Sequence, residues 1–483
     1  MVKKARKMNP KVITISPITR IEGHAKVSIF LNGDDSVRDA RFQVVDFRGF
    51  EKFCEGRPYY EMPSMTSRSC GICPVSHLLA SAQAIDAIAG VNIPRTATLL
   101  RRLMHMGQLI QSHALNFFHL SAPDLLLGMD SNPAKRNIIG LVEEYPDLAR
   151  KGIRLRKYGQ EIIEKLADKR IHSSDWIVPG GVKTPLSKDR ADYLLRNLPE
   201  ALDTTLETLK MWKNYLPKFE DEVQNFGNFP SHYLGLVTEN GGLEHYQGKI
   251  RIVSSDGQIE DDQLDPSKYY EYIGEAVEPW SFMKFPYLKK LGYPEGDYRV
   301  GPLARLNIAS HCGTPMADQE LKEFKKLGNN GVVQSTFHYH YARLIETLFC
   351  IEQAKQILED PEICAEKVWA KAEVNNSEGV GVAEAPRGTL IHHYKVDKEG
   401  IVTSVNMIIA TEHNNLAYNK AITQVAKKYV NGKHVKEGCL NRVEAVIRAF
   451  DPCLSCATHA IGQMALDVQL FDSAGNLIDR QVR

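Results

Sequence analysis

Alternating hydrophobic and polar residues mark parts of the chain as half-buried β-strands, in which successive side chains point to opposite faces. The alternation occurs in Lys11 to Ser16, His24 to Leu31, Arg41 to Phe47, Lys367 to Lys395 and Ile401 to Ile409. It predicts an N-terminal β-meander over residues 11–50 and further β segments over about 366–410.

Longer stretches follow the helical period instead, with hydrophobic residues recurring every three or four positions and few glycines or prolines. These stretches are His77 to Ala89, Thr96 to Leu120, Leu198 to Phe219, Val332 to Leu358, Leu416 to Val430 and Leu440 to Phe450. Pro123 is expected to end the second stretch, because proline interrupts a helix interior. The pattern predicts a helical core over about 77–225 and 316–360.

The order of these elements predicts a single α+β unit, mainly helical, with a long-helix bundle core and peripheral β subdomains. Residues 129–195 are mixed, and residues 226–315 favour irregular structure with short strands, so no chemistry is assigned to either region. Residues 466–471 alternate again before a turn at 474–476, which predicts a short hairpin at the C-terminal end.

The composition is that of an ordinary globular protein, with 483 residues of which 43% are hydrophobic and 25% charged. A net charge of +1 argues against nucleic acid or a membrane surface as the main partner. No apolar stretch reaches the length of about 18 residues that a membrane span requires, and residues 1–7 lack the apolar part of a secretory signal. Five of the nine cysteines follow no spacing pattern, which suits a reducing compartment.

The other four cysteines form two C-x-x-C stretches, each followed by a histidine. The first runs Arg68-Ser-Cys-Gly-Ile-Cys-Pro-Val-Ser-His77, and the second runs Asp451-Pro-Cys-Leu-Ser-Cys-Ala-Thr-His459. Together they offer four thiolates, which is a full set of ligands for one soft or borderline metal. The fold is expected to bring the two stretches together across almost the whole chain.

Four interpretations of the cysteines compete. A structural zinc site is the usual meaning of paired C-x-x-C motifs, but such pairs normally lie about 15–20 residues apart in small domains. A thioredoxin-like redox pair would need one motif in a βαβ context, and four unrelated core cysteines would not repeat the spacing. A redox-active nickel or iron centre accounts for the polar groups beside the thiolates, because such neighbours orient and tune a reactive metal site.

A redox-active centre would also need an exit for its electrons. The chain has no further grouped cysteines for iron–sulfur clusters. Its Gly379-x-Gly381 is too short for the glycine fingerprint of a dinucleotide site. Electron carriers and a nucleotide site are therefore expected in partner subunits.

These residues resemble a known family, the large catalytic subunits of [NiFe]-hydrogenases. The resemblance rests on R-x-C-G-I-C-x-x-x-H, D-P-C-x-x-C-x-x-H and the preceding Arg20-Ile-Glu-Gly-His24, and it runs from about residue 15 to the C-terminus. Within the family the chain most resembles the cytoplasmic, bidirectional, NAD-linked type, through Phe47-Arg-Gly-Phe-Glu-Lys-Phe53 and residues 74–81. The resemblance implies the large-subunit fold, cytoplasmic localisation and reversible cleavage of H2.

The resemblance also implies a metal ligand for each cysteine of the two stretches. Cys70 and Cys453 would be terminal ligands of nickel, and Cys73 and Cys456 would bridge nickel to an iron that carries CO and two cyanides. The C-terminal metal-binding segment would then span residues 440–459.

Other residues take roles from the same resemblance. Glu51, His459 and the backbone carbonyl of Ile408 would bind Mg²⁺ or a similar divalent ion. Glu22 would carry protons away from Cys453, although a surface salt bridge between Glu22 and Arg20 is the simpler alternative. The residues expected around the metals are Arg68, His77, Ser112, His113, Pro386, Arg387 and Asp451.

Arg387 is implied to contact the diatomic ligands, and it is also a candidate base, although its high pKa argues against that role. Many family members have an aspartate where this chain has Ser112, just before His113. Serine can hydrogen-bond but cannot neutralise a guanidinium. We therefore expect Arg387 to lack its usual carboxylate partner, and its surroundings to be altered.

The resemblance implies several partners. An iron–sulfur small subunit would receive the electrons, and diaphorase subunits carrying FMN would pass them to NAD. A maturation endopeptidase would cut between His459 and Ala460, so that residues 460–483 would be a removable extension and residues 1–459 the mature catalytic unit. NADP, a deazaflavin or another acceptor remains an alternative to NAD, and a non-catalytic core subunit of the respiratory-complex type is the alternative outside the class, although such subunits lack the cysteines.

Overall fold

A computed structural model of the chain describes residues 11–173, 175–460, 467–472 and 476–482. The α-helices of these residues are α1 Phe50–Cys54, α2 Met62–Ser67, α3 Pro74–Ala89, α4 Arg95–Ala114, α5 Ala122–Leu127, α6 Ile138–Glu144, α7 Pro146–Ala167, α8 Lys188–Tyr215, α9 Glu220–Asn225, α10 Tyr269–Tyr272, α11 Pro302–Ile308, α12 Pro315–Lys325, α13 Tyr339–Leu358, α14 Ala410–His413, α15 Asn415–Tyr429, α16 Glu437–Phe450 and α17 Leu454–Ala457.

Short 3₁₀ turns occupy Tyr59–Glu61, Leu216–Phe219, Pro266–Lys268 and Thr336–His338. The strands are β1 Val12–Ile15, β2 Ala25–Leu31, β3 Val37–Val44, β4 Ile177–Val178, β5 Gly181–Val182, β6 His232–Val237, β7 Lys249–Val253, β8 Ile259–Leu264, β9 Ile273–Ala276, β10 Phe285–Leu288, β11 Tyr298–Arg299, β12 Glu378–Ala385, β13 Gly388–Val396, β14 Val402–Ile408, β15 Asp467–Phe471 and β16 Leu477–Val482. Long helices and several small sheets confirm the predicted α+β class.

The helical core is built from α4, α7, α8 and α13, which pack against one another. Helix α7 lies within the predicted helical core, in a stretch where the sequence pattern is mixed. Its buried side chains Leu155, Tyr158 and Ile162 recur at helical spacing, while its other face carries arginines, lysines and glutamates. That amphipathic pattern was the available signal, but the high density of charge in the segment obscured it.

The expectation that Pro123 ends a helix is wrong. Helix α4 gives way to a π-helical turn at Leu115–Ser121, and α5 follows with Pro123 in its first turn. A proline is tolerated there, because the amides of the first turn have no partner within the helix.

Several small sheets accompany the helical core. Strands β1, β2 and β3 pair antiparallel, as predicted, although β3 ends at Val44. The region interpreted as irregular contains a four-stranded sheet in the order β11-β6-β7-β8. Strands β12, β13 and β14 form an antiparallel meander, and β15 pairs with β16 in the predicted C-terminal hairpin, whose turn at 473–475 lies outside the described residues.

Gly379 and Gly381 place β12 against helix α3. A Cβ on Gly379 would lie 2.1 Å from the carbonyl oxygen of Ala84, and one on Gly381 would lie 1.9 Å from that of Ala80. Only glycine permits such a close approach of two backbones. The glycine pair therefore fixes β12 and its neighbour β13 on the helix that follows Cys73.

None of the described helices combines the length and hydrophobicity that crossing a membrane requires.

Candidate metal centre

The four motif cysteines meet in one buried cluster, as the sequence predicted. Their sulfur atoms all lie within 4.8 Å of one another. The Sγ atoms of Cys70 and Cys453 are 3.2 Å apart, those of Cys73 and Cys456 are 3.6 Å apart, and those of Cys453 and Cys456 are 2.8 Å apart. No other group of three or more histidine, cysteine or carboxylate side chains in the described ranges comes close enough to share an ion.

The first cysteine stretch forms the loop between α2 and α3. The backbone amides of Ile72 and Cys73 donate to the Cys70 sulfur over 3.3 and 3.1 Å, which curls the loop around that atom. Gln108 and Gln111 of α4 both donate to the carbonyl oxygen of Ile72, at 3.0 and 2.8 Å. The loop is thus held by its own amides and by the core helix behind it.

The second stretch begins where α16 ends. Asp451 adopts a left-handed conformation with φ of 63°, which terminates the helix and redirects the chain. The amide of Cys453 donates to the Thr411 hydroxyl at 2.9 Å, and Cys453 pairs with Glu22 in a parallel β-bridge. The amide of Leu454 completes this bridge by donating to the carbonyl oxygen of Glu22 at 3.1 Å.

Glu22 lies directly beside the second stretch, as expected. Its carboxylate accepts from the amide of Ser455 at 3.0 Å, rather than forming the alternative salt bridge with Arg20. Arg20 instead binds Asp124 at 2.5 Å. Gly23, with φ of +80°, permits the close approach, since a Cβ there would lie 2.7 Å from the Cβ of Leu454.

The thiol cluster suits a metal because a cation compensates the thiolates that ligate it. Burial raises the pKa of Cys453 and of Cys456 well above its ordinary value. The pKa of Cys73 is lowered instead, because Cys453, Cys456 and Cys70 direct hydrogen bonds at its sulfur. A bound cation would compensate the remaining thiolates, and four soft ligands from two C-x-x-C stretches fit nickel and iron.

Arg387 supplies a cation next to the thiols. Burial alone would lower its pKa, but Asp451 and the sulfurs of Cys453, Cys73 and Cys70 raise the pKa well above the ordinary value for arginine. Its Nε and Nη1 atoms have no hydrogen-bond partner among the described residues. These N–H groups remain available to small ligands of a metal bound by the four thiols.

The expectation that Arg387 lacks a carboxylate partner is wrong. Its Nη2 donates to Asp451 Oδ1 at 3.2 Å, and both side chains are buried. The carboxylate therefore comes from the second cysteine stretch instead of from position 112. Ser112 is buried on α4, and its hydroxyl has no hydrogen-bond partner within the part of the chain described.

Arg387 and Pro386 form the two-residue turn of the hairpin between β12 and β13. Arg305 holds this turn, donating to the carbonyl oxygen of Ala385 at 3.0 Å and to that of Pro386 at 3.4 Å. A backbone-held turn at a hairpin tip fixes the origin of the Arg387 side chain.

Arg305 is itself the centre of a fully buried ion network. It contacts Glu346 through two hydrogen bonds of 2.6 and 2.7 Å, and Glu384 through one of 2.8 Å. His113 joins the network by a 3.0 Å contact with Glu346. His113 is thus connected to the site through Glu346 and through Arg305, which holds the hairpin turn.

A second polar cluster surrounds His459. Its Nδ1 lies 3.0 Å from Glu51, the residue expected to share a divalent ion with it, and its Nε2 lies 2.8 Å from Glu412. Burial alone would lower the pKa of His459, but Glu412 and Glu51 raise it to about 10. Glu51 also accepts from the amide of Met407 at 2.7 Å, whereas the carbonyl of Ile408 interacts with His413.

Two further residues assigned to the surroundings of the metals, His77 and Arg68, differ in burial. His77 is buried, and a hydrogen bond from it contributes to the lowered pKa of Cys73. Arg68 is exposed, and its place among the groups around the metals stays a prediction.

Sequence reasoning missed Arg305, Glu346 and Glu412. All three are completely buried charged residues within helical segments. Charged side chains are seldom buried without partners, so a charge at a hydrophobic-face position was the available signal. Their partners lie far away in sequence, and no local spacing identifies them.

The Arg305 network gives the first testable prediction. Arg305→Met leaves Glu346 and Glu384 buried without their guanidinium, so we expect destabilisation by about 3–5 kcal/mol, seen as a lower midpoint of thermal unfolding. Arg154→Met, which breaks an exposed pair with Glu200, is the control and should cost at most about 1 kcal/mol. Equal midpoints for the two variants would contradict the role of the network.

Comparisons with known proteins agree with this geometry. A family model described as nickel-dependent hydrogenase matches residues 48–137 and 234–459, and a model described as HoxL-like matches residues 12–47. The chain is 42% identical to the beta subunit of the NAD-reducing hydrogenase HoxS of Cupriavidus necator, over 98% of this chain and 99% of the relative. It is 43% identical to one subunit of the F420-non-reducing hydrogenase vhc of Methanococcus voltae, over 93% of this chain and 95% of the relative.

A solved structure gives the same answer. The crystal structure of an NAD⁺-reducing [NiFe]-hydrogenase in the H2-reduced state superposes with a TM-score of 0.91 at 45% identity, covering 93% of this chain and 100% of the solved chain. A structural zinc pair and a non-catalytic subunit without cysteines do not account for these matches. The chain therefore belongs to the nickel-dependent hydrogenase family, as a large, catalytic subunit.

Proposed function

We propose that this chain carries out the reversible cleavage of H2 into protons and electrons, with its four motif cysteines as the metal ligands. The observation that carries the proposal is the convergence of four buried thiols from two distant stretches within 4.8 Å. Cys70 and Cys453 would hold nickel terminally, and Cys73 and Cys456 would bridge it to iron bearing CO and cyanide. When bound, such a centre supplies a Lewis-acidic open position that polarises H2.

Heterolytic cleavage also requires a base beside the metals. The Cys453 sulfur is the better candidate, because Asp451 and the neighbouring sulfurs raise the pKa of Arg387 and hold its guanidinium in the protonated form. Protonated Arg387 would instead orient small ligands through its free Nε and Nη1 groups.

Glu22 would receive the proton from Cys453. The β-bridge to Cys453 fixes its backbone, and the Ser455 amide holds its carboxylate at 3.0 Å. Glu22 is only partly buried, whereas Cys453 is buried, so the residue lies between the thiols and solvent. This arrangement suits a carboxylate that alternates between accepting and releasing a proton.

Glu51 and His459, with the carbonyl of Ile408, would bind a divalent ion such as Mg²⁺. Support comes from the 3.0 Å contact of Glu51 with His459. Glu412 belongs to the same cluster and would compensate the charge of an ion or of protonated His459, since it lies 2.8 Å from Nε2. Carboxylate oxygens are the ligands that Mg²⁺ prefers.

NAD is the proposed final acceptor, reached through an iron–sulfur small subunit and then through a diaphorase carrying FMN. The support is the similarity to a chain of an NAD-reducing hydrogenase over nearly the full length of both proteins. Relatives named as F420-non-reducing hydrogenases are equally similar, so a different acceptor in the partner subunits, such as NADP, is the second candidate, and these names give no support to a deazaflavin. A complex of several subunits in the cytoplasm would follow from either.

Residues 460–483 would be removed by a maturation endopeptidase, leaving residues 1–459 as the catalytic unit. The match to the family model ends at residue 459, which supports this boundary. The carbonyl oxygen of His459 accepts from the amide of Glu51 at 3.1 Å, and Ala460 is buried. Cleavage at this bond would therefore have to precede the closure of the segment onto Glu51.

Metal analysis of the purified chain, together with infrared spectra of CO and cyanide bands, tests the main proposal. Cys70→Ser should lose nickel, the bands and H2-dependent dye reduction, because oxygen is a poor substitute for a soft ligand. Cys364→Ser, outside the cluster, is the matched control and should retain all three. Stoichiometric zinc without bands in protein matured by its own maturation factors would overturn the proposal.

A second prediction concerns the proton carrier. Glu22→Gln keeps the shape of the side chain but cannot carry a proton, so H2 oxidation with an artificial dye should fall by about 10²-fold or more. Nickel content and infrared bands should match those of the parent protein. The exposed Glu373→Gln is the control, and parental rates in Glu22→Gln would remove Glu22 from the pathway.

A third prediction concerns the C-terminal extension. Mass spectrometry of the active, metal-loaded protein should give a chain that ends at His459. A stop codon placed after His459 should bypass the endopeptidase and still allow Glu51 and His459 to meet. Active protein that retains Arg483 would disprove removal of the extension.

A further inference from the structure

One exposed arginine, Arg48, contacts both cysteine stretches. Its Nη1 donates to the carbonyl oxygen of Ser69 at 2.6 Å and to that of Ser455 at 3.3 Å. Ser69 directly precedes Cys70, and Ser455 directly precedes Cys456. No other side chain in the described ranges hydrogen-bonds to the backbone of both stretches. A single guanidinium therefore joins two backbone segments that come from opposite ends of the chain.

Arg48 is itself held in place from two sides. Its backbone amide and that of Gly49 donate to the carbonyl oxygen of Thr458, at 3.1 and 3.2 Å, which anchors the main chain to the end of the second stretch. Its guanidinium carbon lies 5.3 Å from the ring centroid of Phe50, a distance at which cation–π attraction acts. The side chain thus reaches the two carbonyl oxygens from a fixed origin.

The chemistry of these contacts suits an arginine. No carboxylate among the described residues pairs with Arg48, so its N–H groups are not engaged in a salt bridge there. A guanidinium is always protonated and presents several N–H groups in one rigid plane, so a single group can donate to two carbonyl oxygens. Hydrogen bonds from a charged donor are stronger than those from a neutral one. Because the acceptors belong to the backbone, the contacts fix main-chain positions.

We propose that Arg48 is a positioning residue, which holds the two cysteine stretches at the separation that their four thiols need to share a metal. The inference rests on the proposed role of the cysteines as metal ligands, and it deepens that role. Gln108 and Gln111 hold the first stretch against helix α4. Thr411 and Glu22 hold the second stretch. Each of these contacts fixes one stretch, whereas Arg48 fixes one stretch against the other.

The sulfur positions give this role a measurable consequence without any metal. The Sγ atoms of Cys70 and Cys453, from different stretches, are 3.2 Å apart. Within the stretches, Cys70 and Cys73 are 3.0 Å apart, and Cys453 and Cys456 are 2.8 Å apart. An oxidant can therefore form disulfides between the stretches or within them. Loss of the Arg48 contacts should disfavour only the disulfides between the stretches, because it lowers the effective concentration of one stretch at the other.

The first test oxidises the metal-free, full-length chain with diamide and maps the disulfides by mass spectrometry of its peptides. Arg48→Met keeps an unbranched stem but removes every donor, whereas Arg48→Lys retains a cation with donor groups. Arg38→Met is the matched control, because Arg38 is also exposed and lies 5.6 Å from the ring centroid of Phe30, without a hydrogen bond to either stretch. The midpoint of thermal unfolding establishes that each variant is folded.

We expect disulfides between the stretches, above all Cys70–Cys453, in the parent chain and in Arg38→Met. Their share should fall by about tenfold in Arg48→Met, as the loss of charge-assisted hydrogen bonds predicts, and by less in Arg48→Lys. Equal shares in the parent and in Arg48→Met would overturn the inference, and so would a parent chain that forms disulfides only within the stretches. If Arg48→Met does not fold, the share in Arg48→Lys decides in the same way.

A second measurement follows nickel in the mature complex. Release of nickel into a chelator should be about tenfold or more faster in Arg48→Met than in the parent, because groups that orient metal ligands contribute to metal affinity. Arg38→Met should release nickel at the parental rate, and an unchanged rate in Arg48→Met would overturn the inference. A parent complex without nickel would instead refute the proposed function, while the disulfides of the metal-free chain would still decide the role of Arg48.

Discussion

The parallel backbone bridge between Glu22 and Cys453 is the contact on which the metal centre depends. It joins the N-terminal sheet to the last helical segment, and so brings together residues from opposite ends of the chain. Amides of Arg48 and Gly49 add two hydrogen bonds to the carbonyl oxygen of Thr458. Backbone contacts of this kind do not depend on side-chain rotamers, so they fix the position of the second cysteine stretch.

Around this junction several buried charges have a partner of opposite charge. Four thiols, a guanidinium and several carboxylates lie in an interior where unpaired charge is costly. Asp451 neutralises Arg387 from one side, and the Arg305 network holds the backbone of the same turn from the other. The free N–H groups of Arg387 are thus directed by groups that are themselves paired, which is the condition for a preorganised site.

The sequence predicted the chemistry of this centre better than its surroundings. Cysteine spacing and the family resemblance identified the four thiols that converge and the contact of Glu51 with His459, because these features are local or family-specific. The prediction that Arg387 lacks a carboxylate partner was wrong. The presence of Ser112 where many family members have an aspartate says nothing about a carboxylate carried by another segment. Glu412 and Arg305 were missed, because their roles arise only when distant elements pack together.

The separation of the two cysteine stretches also has a consequence for synthesis on the ribosome. Cys73 and Cys453 are 380 residues apart, so at typical elongation rates about 20–80 s pass between their appearances. Throughout that interval the nascent chain offers only two of its four thiols, and Glu22 has no Cys453 to pair with. Any assembly factor that acts on the growing chain must therefore protect a half-built site, and all four thiols are present only after Cys456 has been synthesised.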